Sequence, residues 1–184
     1  MRLRPVAFLL PLLALAAACG ASPASVPATP GTAGVSGGVI DPAFATASAA
    51  PAAKSVAVVD GPLGQGLKET SAWFAAGMAP EGSAFLATLG DAGRAKVDMT
   101  MHAGKCYVVV GFSQDGKVTD FDLRLWKTAK GGAPSLVAED ADDDTTPTVG
   151  KPPMCPDADT TYLLELFAEK GKGDVAVQLY SKAR

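Results

Sequence analysis

The chain has 184 residues, of which 48% are hydrophobic and 19% charged, and its formal net charge is −3. This balance, without a basic patch or interleaved basic and aromatic residues, argues against nucleic acid and anionic lipid head groups as partners. The low-complexity N-terminal part is followed by about 130 residues, which suffice for one hydrophobic core but not for two.

The first eighteen residues have the pattern of an export signal. Arg2 and Arg4 give a positive start, and an apolar segment follows. This segment has about fourteen residues, whereas a membrane-spanning helix needs ~20. Residues 1–18 are therefore predicted to be a signal peptide that is removed on export, which leaves a net charge of about −5.

The cysteine at position 19 follows the small residues Ala16 to Ala18, with Leu15 just upstream. This stretch resembles the lipobox of bacterial lipoproteins, in which the cysteine is acylated and becomes the first residue of the mature protein. The resemblance implies that Cys19 is lipidated and anchors the protein in the bacterial cell envelope, with the outer membrane as the expected location. Because Ala16 stands where lipoproteins usually have leucine, an A-x-A site that releases a soluble secreted protein is the alternative.

The three cysteines of the chain favour lipidation of Cys19. A soluble exported protein that begins at Cys19 would expose an odd thiol, whereas lipidation leaves two cysteines that can pair. We therefore expect a disulfide between Cys106 and Cys155. It would close a loop of about fifty residues and contribute roughly 4 kcal/mol in the chain-entropy model. Two buried free thiols are the alternative.

Residues 19–55 consist mostly of Ala, Pro, Ser, Thr, Gly and Val, with Asp41 and Lys54 as the only charges. Such a segment lacks the large apolar side chains that offset the entropy of ordering. It is predicted to be a disordered tether with a root-mean-square span of roughly 35 Å, which its prolines lengthen. The folded part would thus stand clear of a membrane surface.

Residues 56–82 are predicted to lead into the folded domain and to contain one or two turns of helix. This helix is expected to cover an edge of a sheet. The residues behind the prediction are the candidate caps Thr70 and Ser71, the apolar Trp73, Phe74 and Met78, and the helix-ending Gly77 and Pro80.

The remaining sequence has a hydrophobic period of two, which indicates antiparallel strands with one face toward a core and the other toward water. The inward positions are Val97, Met99 and Met101, then Phe121, Leu123 and Leu125, and finally Val175, Val177 and Leu179. The more continuously apolar segments 106–112 and 161–169 are expected inside their sheets. With glycine-containing turns between strands, the pattern predicts an all-β domain over residues 83–184, a single antiparallel β-sandwich of six to eight strands, jelly-roll-like in type.

The order of motifs over residues 83–182 is similar to that of the pre-peptidase C-terminal β-sandwich, a domain appended to secreted bacterial proteins. The matching pieces are an aromatic strand after a glycine turn at 104–110, a D-x-D-L-x-L strand at 120–125, an Asp-rich loop at 139–144 and a strand–turn–strand hairpin at 162–180. The resemblance implies a non-catalytic accessory domain, which binds calcium in some members. The two cysteines of the domain are an addition to that pattern.

The Asp-rich loop is the one place where the sequence points to metal chemistry. Its crowded carboxylates repel one another, and Ca²⁺, a hard ion that accepts six to eight oxygens, would relieve the repulsion. The candidate ligands are Asp140, Asp142, Asp143 and Asp144, joined by Asp120 and Asp122 if their strand end lies near the loop. The spacing does not match an EF-hand, and a solvated loop that keeps an edge strand soluble is the alternative.

His102 is the only histidine, so a triad or dyad would have to use it, and a multi-histidine metal site is excluded. It is expected to be a solvated turn residue next to the end of a strand. The sequence also lacks the motifs of a nucleophile elbow, a phosphate loop and a dinucleotide site.

Three aromatic residues are a candidate face for a sugar or a peptide: Trp126, Tyr107 and Tyr180. Trp126 is out of phase with the apolar positions of its strand and is expected on the outer face of a sheet. The alternative is that these residues only cover a sheet.

These features predict a lipid-anchored envelope protein that acts as a non-catalytic binding or structural module and requires no cofactor. Its expected partner is another envelope or secreted protein. One alternative is a calcium-stabilised adhesion or spacer domain. Another is a hydrolase with paired carboxylates, which would need a deep cleft where two acids of raised pKa face each other.

Overall fold

The alternating apolar positions form the strands of two antiparallel sheets. The computed structural model describes residues 41–114, 117–128 and 133–184. In chain order, the elements of the described residues are α1 (Pro42–Ala49), β1 (Lys54–Val56), α2 (Gly61–Phe74), β2 (Ala79–Pro80), β3 (Ala84–Leu89), β4 (Arg94–Met101), β5 (Lys105–Ser113), β6 (Val118–Lys127), β7 (Ser135–Asp140), β8 (Thr148–Met154), β9 (Thr160–Gly171) and β10 (Gly173–Ala183). The predicted signal peptide and Cys19 lie outside the described residues.

One sheet has six strands, with the order β1-β3-β10-β5-β8 and with β2 paired to β10, and the other has four, with the order β4-β9-β6-β7. Neighbouring strands in both sheets pair antiparallel. The predicted all-β sandwich is therefore confirmed. The described residues contain more strands than the predicted six to eight, because the end of the predicted tether contributes β1 and the lead-in segment contributes β2, so that the sheets begin before residue 83.

The core lies between the two sheets, and the residues that were predicted to face inward do face it. All nine of the residues that alternate in β4, β6 and β10 belong to one buried cluster. Side chains of this kind contribute about 1.5–3 kcal/mol each when fully buried. The two most apolar segments are also placed as expected, because β5 lies between β10 and β8 and β9 lies between β4 and β6.

The helix α2 packs on the outer face of the six-stranded sheet, where it covers a second apolar cluster. It begins after Asp60, with Pro62 in its first turn, so the predicted start at Thr70 or Ser71 is wrong. The Oγ of Ser71 instead donates to the carbonyl of Lys68 inside the helix, at 2.9 Å. The helix covers a sheet face rather than an edge, and β5 and β10 are consequently buried on both sides.

Gly66 lets α2 approach the sheet closely. A Cβ at this position would lie 2.1 Å from the ring of Phe112 on β5. Of the predicted helix residues, Trp73 points away from the sheet and is 84% exposed. The contact with the sheet is made by Leu67, by Ala75 just after the helix, and by the predicted Met78, which is partly buried there.

The predicted disorder of the tether up to residue 55 is wrong for its last part, because residues 42–49 form α1 and Lys54–Val56 form β1. Asp41 caps α1 through a hydrogen bond from the backbone N of Ala43, at 2.8 Å. Phe44 and Ala47 pack against the four-stranded sheet. The sheet supplies the apolar surface that this segment lacks by itself. Neither α1 nor α2 is long and apolar enough to cross a bilayer.

The predicted disulfide is present. Cys106 on β5 is bonded to Cys155, which follows β8, across a sequence separation of 49. The bond therefore joins two neighbouring strands of the six-stranded sheet near one end. In the chain-entropy model a loop of this length contributes about 4 kcal/mol to stability.

Candidate functional site

The outer face of the four-stranded sheet contains buried acids where the sequence predicts a water-facing side. Asp120 and Asp122 on β6 are 2% and 1% exposed. Cationic side chains lie against both of them: Lys170 Nζ is 2.7 Å from Asp120 Oδ2, and Arg124 Nη2 is 3.6 Å from Asp122 Oδ2. The prediction that Asp120 and Asp122 face water is therefore wrong.

A local irregularity in strand pairing brings a third carboxylate to these two. Asp120 pairs with Lys170 and Phe121 pairs with Ala168, so Glu169 is an extra residue in β9. Such a bulge re-aims the side chain of the unpaired residue. As a result, one carboxylate oxygen from each of Asp120, Asp122 and Glu169 lies within 4.8 Å of the other two. We call these three residues the carboxylate cluster.

Asp122 is the least satisfied member of the carboxylate cluster. Both of its oxygens are buried and neither accepts a hydrogen bond. Burial raises the pKa of Asp122 to about 6, and the neighbouring charges of Asp120 and Glu169 raise it further against the opposing effect of Arg124. The carboxyl of Asp122 therefore stands in an environment that disfavours its ionised form.

The Asp-rich loop does lie beside the end of β6, as its predicted role requires. The backbone N of Phe121 donates to the carbonyl of Asp144 at 2.9 Å. Lys170 connects the two regions, because its Nζ also lies 3.4 Å from Asp143 Oδ1. Hydrogen bonds to Asp120 and Asp143 raise the pKa of Lys170, and the bond to Asp120 is the main cause.

Two of the predicted calcium ligands in the loop instead accept hydrogen bonds from the backbone. Asp140 accepts from the backbone N of Thr148 at 2.6 Å, and Asp144 accepts from the backbone N of Thr146 at 2.7 Å. Bonds of this kind are typical of aspartates in turns. Among the residues that the structure describes, the loop aspartates 140, 142, 143 and 144 do not form a group of three converging carboxylates.

A network of ion pairs continues the polar face next to the carboxylate cluster. Arg94 pairs with the fully buried Glu165, and Arg124 Nε lies 2.5 Å from Glu139 Oε1. Both guanidinium groups also lie over the ring of Phe167, at 3.8 and 5.2 Å from its centroid. These contacts hold Arg124 toward Glu139, so that Asp122 receives a nearby charge but no hydrogen bond.

His102 follows the end of β4, and its side chain is about half exposed, in agreement with a solvated turn position. Its Nδ1 lies 3.0 Å from Asp159 Oδ2. The pKa of Asp159 is lowered by this contact and by a hydrogen bond from the backbone N of Ala103. Within the described ranges, no serine or cysteine side chain is a hydrogen-bond partner of His102, so no nucleophile is paired with it.

The three candidate aromatic residues do not form a common face. Tyr107 is fully buried between the sheets, where its hydroxyl accepts a hydrogen bond from the backbone N of His102 at 2.8 Å. Tyr180 lies under α2. Trp126 lies on the outer side of its sheet, as expected, but α1 covers it, and the ring of Phe44 packs edge-on at 5.6 Å. The predicted ligand face is therefore wrong.

A surface groove that the sequence did not indicate lies between β1, β3 and the start of α2. Its volume is about 820 Å³, and Val58 in its wall is 68% exposed. The lining combines apolar side chains with charges of both signs: Val56, Val59, Leu63, Leu86, Lys54, Asp60, Arg94 and Asp174. No member of the carboxylate cluster lines this groove.

Glu169 and the groove are the features that sequence reasoning missed. The only sequence signal for Glu169 was the polar end of an otherwise apolar strand, which does not reveal a bulge. No known family model matches the chain, and a comparison with curated proteins also gives no match. The function therefore has to be inferred from the disulfide, the groove and the carboxylate cluster.

Proposed function

We propose that the protein is a lipid-anchored module of the bacterial cell envelope that binds or positions another envelope component without catalysing a reaction. The observation that carries this proposal is the bond between Cys106 and Cys155. Structural disulfides form and persist in oxidising compartments and are rare in the cytosol. An exported location also agrees with the N-terminal leader of residues 1–18, and Cys19, which follows it, supplies the attachment point for lipid.

The groove beside β1 supports a binding role. Concave sites with a mostly apolar lining and a few charged groups are typical of ligand-binding surfaces. Among the described strands, β1 is the last of its sheet, and no other of them pairs with the far side of its backbone. An extended segment of another protein can add to such an edge and place alternate side chains in the groove.

The carboxylate cluster favours a hydrolase less than it favours a binding module. General acid-base catalysis by two acids requires a cleft that admits substrate between them. Asp122 has the raised pKa that such a mechanism uses, but Lys170 occupies Asp120 and neither acid lines the groove. The groove therefore supplies no substrate cavity between these two acids.

The anchor is tested by mass spectrometry of the mature N-terminus and by fractionation of cells that express the Cys19→Ser variant. We expect an acylated Cys19 in the wild type, and loss of the variant from the membrane fraction. An unmodified thiol at residue 19, or a leader that is still attached, would contradict the lipid anchor.

The binding role is tested by site-specific photo-crosslinking in intact cells, with the crosslinker at Val58 in the groove. The matched control is Asp98, an exposed residue on the outer face of β4. We expect an adduct of defined mass from Val58 only, and its loss when Val56→Asp places a charge in the groove. Equal adducts from both positions, or none from Val58, would refute a specific partner at the groove.

A further inference from the structure

We propose that the carboxylate cluster, Asp120, Asp122 and Glu169, is a binding site for a hard divalent cation, of which Ca²⁺ fits best. This site shares Asp120 and Asp122 with the ligands expected from the sequence. It replaces the loop aspartates by a residue from the bulge of β9. The inference is independent of the binding role proposed above.

The geometry allows one ion to contact all three residues. Their carboxylate oxygens lie within 4.8 Å of one another. Two oxygens bound to the same Ca²⁺ at about 2.4 Å can lie up to about 4.8 Å apart. Mg²⁺, with ligands at about 2.1 Å, would require separations below about 4.2 Å and a stricter octahedral arrangement. Ca²⁺ therefore tolerates every separation up to the 4.8 Å limit, whereas Mg²⁺ tolerates only the shorter ones.

The carboxylate of Asp122, which has the charge of Arg124 nearby but accepts no hydrogen bond, is an independent reason to expect a ligand. Asp122 is 1% exposed, and neither oxygen accepts a hydrogen bond. Buried polar side chains nearly always have a hydrogen-bond partner, because burial without one is costly. A cation bound between Asp122 and its two neighbours would coordinate a carboxylate oxygen that has no such partner.

Residues next to the carboxylate cluster determine how an ion reaches it and what competes with the ion. Glu169 is exposed, so solvent reaches the cluster from its side, and water can complete the coordination. Lys170 Nζ forms an ion pair with Asp120 Oδ2 at 2.7 Å and so competes with a cation for this oxygen. The Lys170 side chain is itself 60% exposed, so its ammonium can leave the site when a cation enters. Removal of this ammonium should therefore strengthen cation binding.

The test is thermal unfolding of the intact protein, monitored by circular dichroism. It is measured in EDTA and in increasing CaCl₂ at constant ionic strength. With a Kd of about 0.5 mM, we expect Tm to rise by about 5 °C at about 10 mM CaCl₂. The rise should disappear in Asp122→Asn and in Glu169→Gln. It should persist in Asp142→Asn, which removes a loop carboxylate outside the cluster. In Lys170→Gln, half of the rise should occur at a lower Ca²⁺ concentration.

Several outcomes would overturn the proposal. These are an unchanged Tm of the wild type in CaCl₂, a rise that Asp142→Asn abolishes as fully as Glu169→Gln does, and a requirement for more Ca²⁺ in Lys170→Gln. Retention of the full rise in Glu169→Gln would equally exclude the bulge residue as a ligand. If Asp122→Asn fails to fold, the exposed Glu169 still decides the result.

Discussion

Replacement of Asp122 by asparagine should stabilise the protein at neutral pH when divalent cations are removed. The carboxyl of Asp122 is buried without a hydrogen bond, and its pKa is raised from 3.8 to about 6. The native state therefore binds this proton more tightly than the unfolded chain does. An asparagine has nearly the same shape but no charge to bury.

The sign and size of the contribution of Asp122 to the free energy of unfolding follow from its pKa values in the native and unfolded states. Below about pH 3.8 the carboxyl is neutral in both states, and Asp122 contributes no pH dependence to stability. Between about pH 3.8 and 6 the unfolded chain ionises first, so the wild type loses stability as pH rises. At about 1.36 kcal/mol per pKa unit, the full loss is about 3 kcal/mol and persists above pH 6.

The assay is urea denaturation of the wild type and of Asp122→Asn in EDTA, at several pH values from 4 to 7.5. Their difference in unfolding free energy isolates Asp122, because other titrating groups largely cancel. We expect the variant to gain up to about 3 kcal/mol at pH 7.5 and only about 0.5 kcal/mol near pH 4. Asp98→Asn, a change on the exposed face of β4, should show no such trend. A difference that does not vary with pH, or a destabilised variant at pH 7.5, would refute the reasoning.

Reduction of the disulfide should lower the free energy of unfolding by about 4 kcal/mol, measured by urea denaturation with and without dithiothreitol, and an unchanged midpoint would contradict it. Gly66→Ala should cost about 1–3 kcal/mol, because the added methyl group meets the Phe112 ring at 2.1 Å, whereas Gly90→Ala, with no atom within 4 Å, should not suffer this clash. Equal losses in these two variants would argue against the docking of α2. Phe44→Ala should uncover Trp126 and shift its fluorescence to longer wavelength, while an unshifted spectrum would place α1 elsewhere.

The β-sandwich could be predicted because the pattern that identifies it lies within each single strand. Alternation in β4, β6 and β10 identifies the side chains that face the core, whatever their partners are. The disulfide followed from cysteine number and an export signal, without any knowledge of distance. Interior positions of β5 and β9 followed from their continuous apolar character, since a strand that is covered on both sides needs apolar residues on both.

The sequence alone could not predict what covers the outer faces. Aspartate in an alternating strand indicates solvent, and the burial of Asp122 depends on side chains that reach it from other parts of the chain. The alanine-rich segment before residue 50 has no apolar stripe of its own, and it folds because Phe44 finds the surface around Trp126. The position of Glu169 depends on how β9 pairs with β6. A sequence pattern reports the preferences of one strand or helix, whereas burial, register and charge at the carboxylate cluster arise only from contacts between several.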